Sequence, residues 1–63
     1  MNNAVRERRE ARELTQSALA SNVGVTRQSI NAIERGRYDP SLELALKLAA
    51  EFDCTVEELF WLE

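Results

Sequence analysis

Apolar residues recur along this chain at helical spacing in five groups, separated by glycine, proline and hydroxyl residues. The sharpest stretch runs from Gln16 to Arg35. Leu19, Ala20 and Val23 share one stripe and predict a helix over 16–22. Ile30 and Ile33 share the inner face of a second helix, over 27–34, whose outer face is left to Arg27, Gln28, Asn31 and Arg35. Upstream, Val5 is the one clear apolar anchor of a helix over 4–12, and Arg9 lies above it on the same face. Downstream, Leu42, Ala45, Leu46, Ala49 and Phe52 predict a helix over 42–52, widened by Leu44, Leu48 and Ala50. A helix so apolar is expected to be nearly buried at the centre of the core. Val56, Leu59 and Phe60 predict a last short helix over 56–60. The expected fold class is all-α, a compact five-helix bundle.

The residues between these groups punctuate them. Thr15, Thr26 and Ser41 stand at helix starts, where a side-chain oxygen can accept a free backbone N–H. Thr55 and Glu58 have the spacing of a capping box. Gly24 can take the positive φ that ends a helix, and Val25 then anchors the turn. Gly36 closes the helix over 27–34, and Pro40 disfavours helical geometry at Asp39. Leu14 closes the loop after the first helix, and small Ala20 permits close approach of two helices.

A chain of 63 residues makes one small domain. Such a domain buries only about 60% of the surface its unfolded chain exposes, so it gains from a partner. Trp61 and Leu62 have two readings: they close the core beneath Arg8 and Val5, or they meet a second subunit together with Phe60. Cys54 stands alone and reads as a small buried hydrophobe. With one Cys and no His there is neither a disulfide framework nor a metal cluster, and no cofactor is expected. No apolar run has the length of a membrane span and no secretory h-region follows Met1, so a cytoplasmic location is expected. Without paired carboxylates off the helix surfaces, and in so small a domain, enzymatic activity and a small-molecule ligand are not expected.

Charge is divided along the chain. Residues 1–38 carry seven arginines against four glutamates, whereas residues 39–63 carry Lys47 against seven acids. The net charge of -3 therefore hides a basic half, and the local potential of a face governs what it attracts. Arg27, Gln28 and Asn31 are side-chain types that pair bidentately with guanine or adenine edges. Arg37 and Tyr38 fall in an exposed loop from which they can reach phosphates, although Tyr38 can also pack on the neighbouring helix. Gln16 sits beside the open N–H groups of a helix start, a place suited to phosphate; a surface amide without a role is the alternative. If Arg9 turns inward it needs a carboxylate, and Glu34 is the candidate; otherwise Arg9 is solvated.

From Glu13 to Phe52 the chain reads ELTQSALASNVGVTRQSINAIERGRYDPSLELALKLAAEF. This stretch closely resembles the Cro/repressor-type, Xre-like helix-turn-helix domain: the TQ-x-x-LA opening, the GV turn, TRQSINAIERGR and PSLELALKLA are all characteristic. With the flanking helices the resemblance covers residues 4–60. It implies a lambda-repressor-like bundle with the helix-turn-helix at the second and third helices, a homodimer, and a palindromic operator in double-stranded DNA. By position, Arg27, Gln28 and Asn31 would face base edges. Gln16, Thr26, Arg35, Arg37 and Tyr38 would meet the DNA backbone, and Arg9 and Glu34 would form the family's ion pair. Three residues depart from the family pattern: Glu13 and Asp53 where glycine is usual, and Arg8 where leucine is usual, its stem expected to lie over the last helix.

The resemblance makes a sequence-specific transcriptional regulator the expected function, a repressor before an activator. The acidic half keeps a second expectation open, a protein-interaction module such as an antitoxin or accessory factor.

Overall fold

The computed structural model describes all 63 residues. Five helices follow in order: α1 (Val5–Ala11), α2 (Gln16–Val23), α3 (Arg27–Glu34), α4 (Leu42–Glu51) and α5 (Val56–Leu59). Two residue pairs at the termini, β1 (Asn2–Asn3) and β2 (Phe60–Trp61), form a small antiparallel sheet with Asn2 opposite Trp61 and Asn3 opposite Phe60. The local reasons for the helices are largely their starts. Thr15, Thr26, Ser41 and Thr55 each adopt extended geometry and accept the N–H three residues on. At Thr55 the Glu58 carboxylate returns the bond, accepting the Thr55 N–H at 2.8 Å, which completes the capping box. Gly24 ends α2 in the left-handed region, at φ 76.

Helix ends also hold two of the three departures from the pattern the sequence resembles. Glu13 and Asp53 adopt φ of 57 and 53, the left-handed geometry that glycine takes without strain. Arg12 offsets part of this at the second site. Its guanidinium donates to the carbonyls of Glu51 and Phe52, both at 3.0 Å, and lies over the Phe52 ring. It thereby caps the negative end of α4 from α1. Arg8 is half-buried, and its charge helps to lower the Glu58 pKa, in keeping with a stem laid toward α5.

Val5, Leu19, Ile30, Ile33, Leu48 and Leu59 are wholly buried and make the centre of one core. On α4 the buried set is Leu44, Ala45, Leu48 and Ala49, followed by Phe52. Leu42 and Leu46, expected inside, are 72% and 54% exposed, and Ala50 is exposed as well. The helix is thus half-buried rather than nearly buried. With apolar residues at most positions of α4, periodicity could not choose the inward side; neighbours on other helices chose it. Cys54 and Val25 are only partly buried, at the rim of the core.

The terminal sheet corrects the end of the chain. The last helix stops at Leu59, because Phe60 turns extended, at φ −130 and ψ 137, to face β1. Phe60 then points into the core and offers nothing to a second subunit. Trp61 and Leu62 stay exposed and do not close the core beneath Val5. The first strand is fastened on both sides. The Ala4 N–H donates to the Leu59 carbonyl at 2.9 Å, and the Asn3 amide donates to the Ile33 carbonyl at 2.9 Å. Helix α1 accordingly runs from Val5 to Ala11, slightly inside the expected 4–12.

Three substitutions test the helix ends. A Cβ on Gly24 would meet nothing within 4 Å, so Gly24→Ala tests backbone strain alone and should cost about 1 kcal/mol in urea unfolding. Glu13→Gly should raise stability by about 0.5–1 kcal/mol by the same measure; a loss would refute strain at that position. The Glu58 carboxyl is held below its usual range by the Thr55 backbone N–H, then by the Thr55 hydroxyl, with a smaller contribution from Arg8. A depressed carboxyl stabilises the fold fully above its unfolded value, near 4.5, and loses that contribution as pH falls through the folded value. Glu58→Gln should therefore flatten the first part of the acid limb of a stability–pH curve; an unchanged limb would show that the box does not persist in solution.

Candidate nucleic-acid interface

The second and third helices set the geometry. Thr26 starts α3 immediately after the Gly24–Val25 turn, so the two helices meet with almost no slack. Ile30 and Ile33 are wholly buried and fix one side of α3 against the core. At about 100° per residue, Arg27, Asn31 and Arg35 then fall in a row on the other side, with Gln28 beside them. Arg27, Gln28 and Arg35 are exposed and Asn31 is half-buried.

An ion pair holds α3 to the first helix. Arg9 Nε donates to Glu34 Oε2 at 2.7 Å and Nη2 donates to Oε1 at 3.2 Å, a bidentate arrangement. Arg9 Nη1 donates to the Leu14 carbonyl at 2.8 Å, which ties in the loop before α2. Gln16 Nε2 donates to Glu34 Oε1 at 3.0 Å. The side chains of Arg9 and Glu34 are only 12% and 3% exposed. The hydrogen bond to Glu34 holds the Arg9 guanidinium above its usual pKa, against the opposing effect of burial and with help from the charges of Glu34 and Glu10. Arg9 therefore turns inward and finds the expected partner.

The same residues border an open cleft of about 350 Å³, lined by Arg6, Arg9, Gln16, Asn31, Glu34 and Arg35, with no apolar side chain. Gln16 reaches this cleft with one amide hydrogen already engaged by Glu34. Arg6 is a lining residue that sequence reasoning missed. Its position three residues before Arg9 on α1 was the available signal. Arg6 is held loosely, in an exposed pair with Glu10 at 3.2 Å. On the opposite flank of α3, Thr26, Gln28, Ser29, Ala32 and Tyr38 line a shallower hollow. The Thr26 oxygen is engaged by the Ser29 N–H and lies 3.1 Å from the Ser29 hydroxyl, so its cap is its evident occupation. Tyr38 and Arg37 are exposed in the loop after Gly36. Arg27, Arg35 and Arg37 make no ion pair, so three guanidinium groups on and beyond α3 are open to an anion.

Two short capped helices joined by a tight turn, an apolar inner face and a polar outer row define a helix-turn-helix domain. Residues 5–59 match the family model described as Helix-turn-helix. Across the whole chain, 49% of residues are identical to the HTH-type transcriptional regulator YgzD of Bacillus subtilis, over 96% of that protein. The restriction-modification controller protein C.AhdI of Aeromonas hydrophila superposes with a TM-score of 0.81 at 41% identity, covering 89% of this chain and 85% of that one. The P22 c2 repressor, solved in complex with synthetic operator 9T, superposes at 0.82 with 32% identity, covering 84% and 80%. The chain belongs to the helix-turn-helix family of Cro/repressor type. No helix in it is long and apolar enough to cross a membrane.

The ion pair gives the site its own test. Removing one member of a part-buried pair leaves the other charged and unpaired, at a cost between the roughly 0–1 kcal/mol of an exposed pair and the roughly 3–5 kcal/mol of a fully buried one. Glu34→Ala and Arg9→Ala should each lose about 2 kcal/mol of stability. The double variant Arg9→Ala, Glu34→Ala should lose much less than the sum of the single changes. Additive losses in denaturant unfolding would show that the pair is not coupled.

Proposed function

We propose that this chain is a sequence-specific transcriptional regulator that binds double-stranded DNA through α3 and acts as a repressor, as a homodimer on a palindromic operator. The observation that carries the reading is the division of α3. Ile30, Ile33 and Glu34 are committed to the fold, while Arg27 and Gln28, at the N-terminal half, are exposed and make no ion pair. That half is the part a helix-turn-helix inserts into the major groove. Arg27, Gln28 and Asn31 are assigned to base edges, with Asn31 acting from the lip of the cleft it shares with Gln16 and Arg35. Gln16, Arg35, Arg37 and Tyr38 are assigned to the phosphate backbone, which supplies affinity through counterion release. The similarity to an operator-bound repressor supports the same docking.

The size of the domain supports dimeric action. The chain spans 28 Å at its longest and carries one α3, whereas two half-sites lie about 34 Å apart. Selection from a random duplex library should return a two-fold symmetric consensus, and return of no enriched sequence would defeat the reading. On that consensus, Arg27→Ala or Gln28→Ala should cost about 1–3 kcal/mol and relax preference at the contacted base pair. Arg37→Ala should instead weaken consensus and random duplexes alike and reduce the salt slope by about 1. An equal loss on both duplexes for Arg27→Ala would remove it from base reading.

A further inference from the structure

Helix α4 shows the solvent a strip its own fold does not cover. Leu42 and Leu46, one turn apart, are 72% and 54% exposed, and exposed Ala50 continues the row. Large side chains aligned this way on so small a surface mark a contact face. Each leucine is followed by a charged residue, Glu43 and Lys47, which run along one flank and bridge each other at 3.3 Å. This flank is neutral overall, and its two signs are spaced one turn apart, as the leucines are.

That spacing is self-complementary. In a two-fold contact, whatever residue i meets on j, j meets on i. Two α4 helices packed antiparallel, with the axis passing near the level of Leu44, bring Leu42 against the partner's Leu46 and Glu43 beside the partner's Lys47. Flanks on the same side of each helix face one another in that arrangement, so opposite charges meet twice. We propose that the Leu42–Leu46 strip of α4 is the face on which two copies of this chain associate, with Glu43 and Lys47 exchanging partners across it. The inference rests on the operator-binding reading only for its demand that two copies act together. It places the contact on α4, where the apolar strip has a charged flank that matches its own reversed copy, a flank that exposed Trp61 and Leu62 lack. A different protein would have no reason to match a flank whose charges pair with their own reversed order.

Sedimentation equilibrium tests the face, with helical circular dichroism confirming that each variant is folded. Leu46→Glu should weaken self-association at least tenfold. Because the leucine is exposed, the fold should survive; a folded variant that associates as tightly as the unaltered chain overturns the proposal. Glu43→Lys and Lys47→Glu should each weaken association about tenfold, since each turns two attractions into two repulsions. Mixed in equal amounts, the two variants should form mainly the heterodimer, read by native mass spectrometry, because only that pairing restores both attractions. No effect within a single chain can produce that rescue, and a statistical mixture of species would overturn the proposal. A chain that is monomeric in solution while saturating its duplex one copy at a time would overturn it too, leaving DNA binding intact. A dimer sensitive to these variants that binds no duplex would sustain the face and sink the operator reading.

Discussion

The bonds around the Glu34 carboxylate decide where α3 sits. A helix of eight residues has no stability of its own in water, so its position must come from what it touches. Two isoleucines supply apolar contact, but an apolar contact permits sliding and rotation. The carboxylate does not. Its two oxygens accept from two nitrogens of Arg9 and from the Gln16 amide, while Arg9 also donates to the Leu14 carbonyl. One side chain of α3 thereby specifies the distance to α1, the start of α2 and the path of the loop between them. Buried pairs often add little net stability against an apolar replacement. What this one supplies is geometry, since its angular requirements are met in one arrangement of three helices.

Around that centre the domain relies on ends more than on bulk. Most of its helices run two to three turns or less, so unpaired terminal groups are a large share of their polar backbone. Hydroxyl caps satisfy the starts of α2 to α5. At the finishes the chain tolerates strain, accepting glutamate and aspartate in left-handed geometry at Glu13 and Asp53. Arg12 shows how such a finish is held. It reaches from the end of α1 to the last carbonyls of α4, with its charge against the negative end of that helix and its guanidinium over Phe52.

Much of this was legible in the residues, and the boundary between legible and not is physical. Caps and turns were legible because they depend on residues three or four apart. Ile30 and Ile33 were legible because α3 has few apolar positions and hence one possible inner side. Spacing set out the two helices and their glycine turn and named Glu34 as the candidate partner of Arg9 while leaving Arg9 free to face water; the family resemblance chose the pair. On α4 the reverse held: an excess of leucine and alanine left the inward side undetermined, and Leu42 and Leu46 fell outside. The terminal strands were invisible because two residues cannot show a period, and Asn2–Asn3 carries no strand preference. The place of Arg6 beside Arg9 could be read from their spacing on α1, but the cleft it lines and the Gln16–Glu34 bond depend on how α1, α2 and α3 pack, which no local pattern states.

Those unforeseen strands matter to α3. The Ile33 carbonyl, near the end of the helix, accepts from the Asn3 amide, and Asn3 lies in the strand that pairs with Phe60–Trp61. The next residue, Glu34, is held by Arg9 and Gln16. The C-terminal half of α3 is therefore fastened by both ends of the chain, by α1 and by α2, within two consecutive residues. Its N-terminal half is fastened by the Thr26 cap and by Ile30. On this short helix the inner side is held at both halves and the outer side chains are not. The backbone of α3 is held along its length, while the side chains of Arg27 and Gln28 at its start stay exposed, with no ion pair and no side-chain hydrogen bond to hold them.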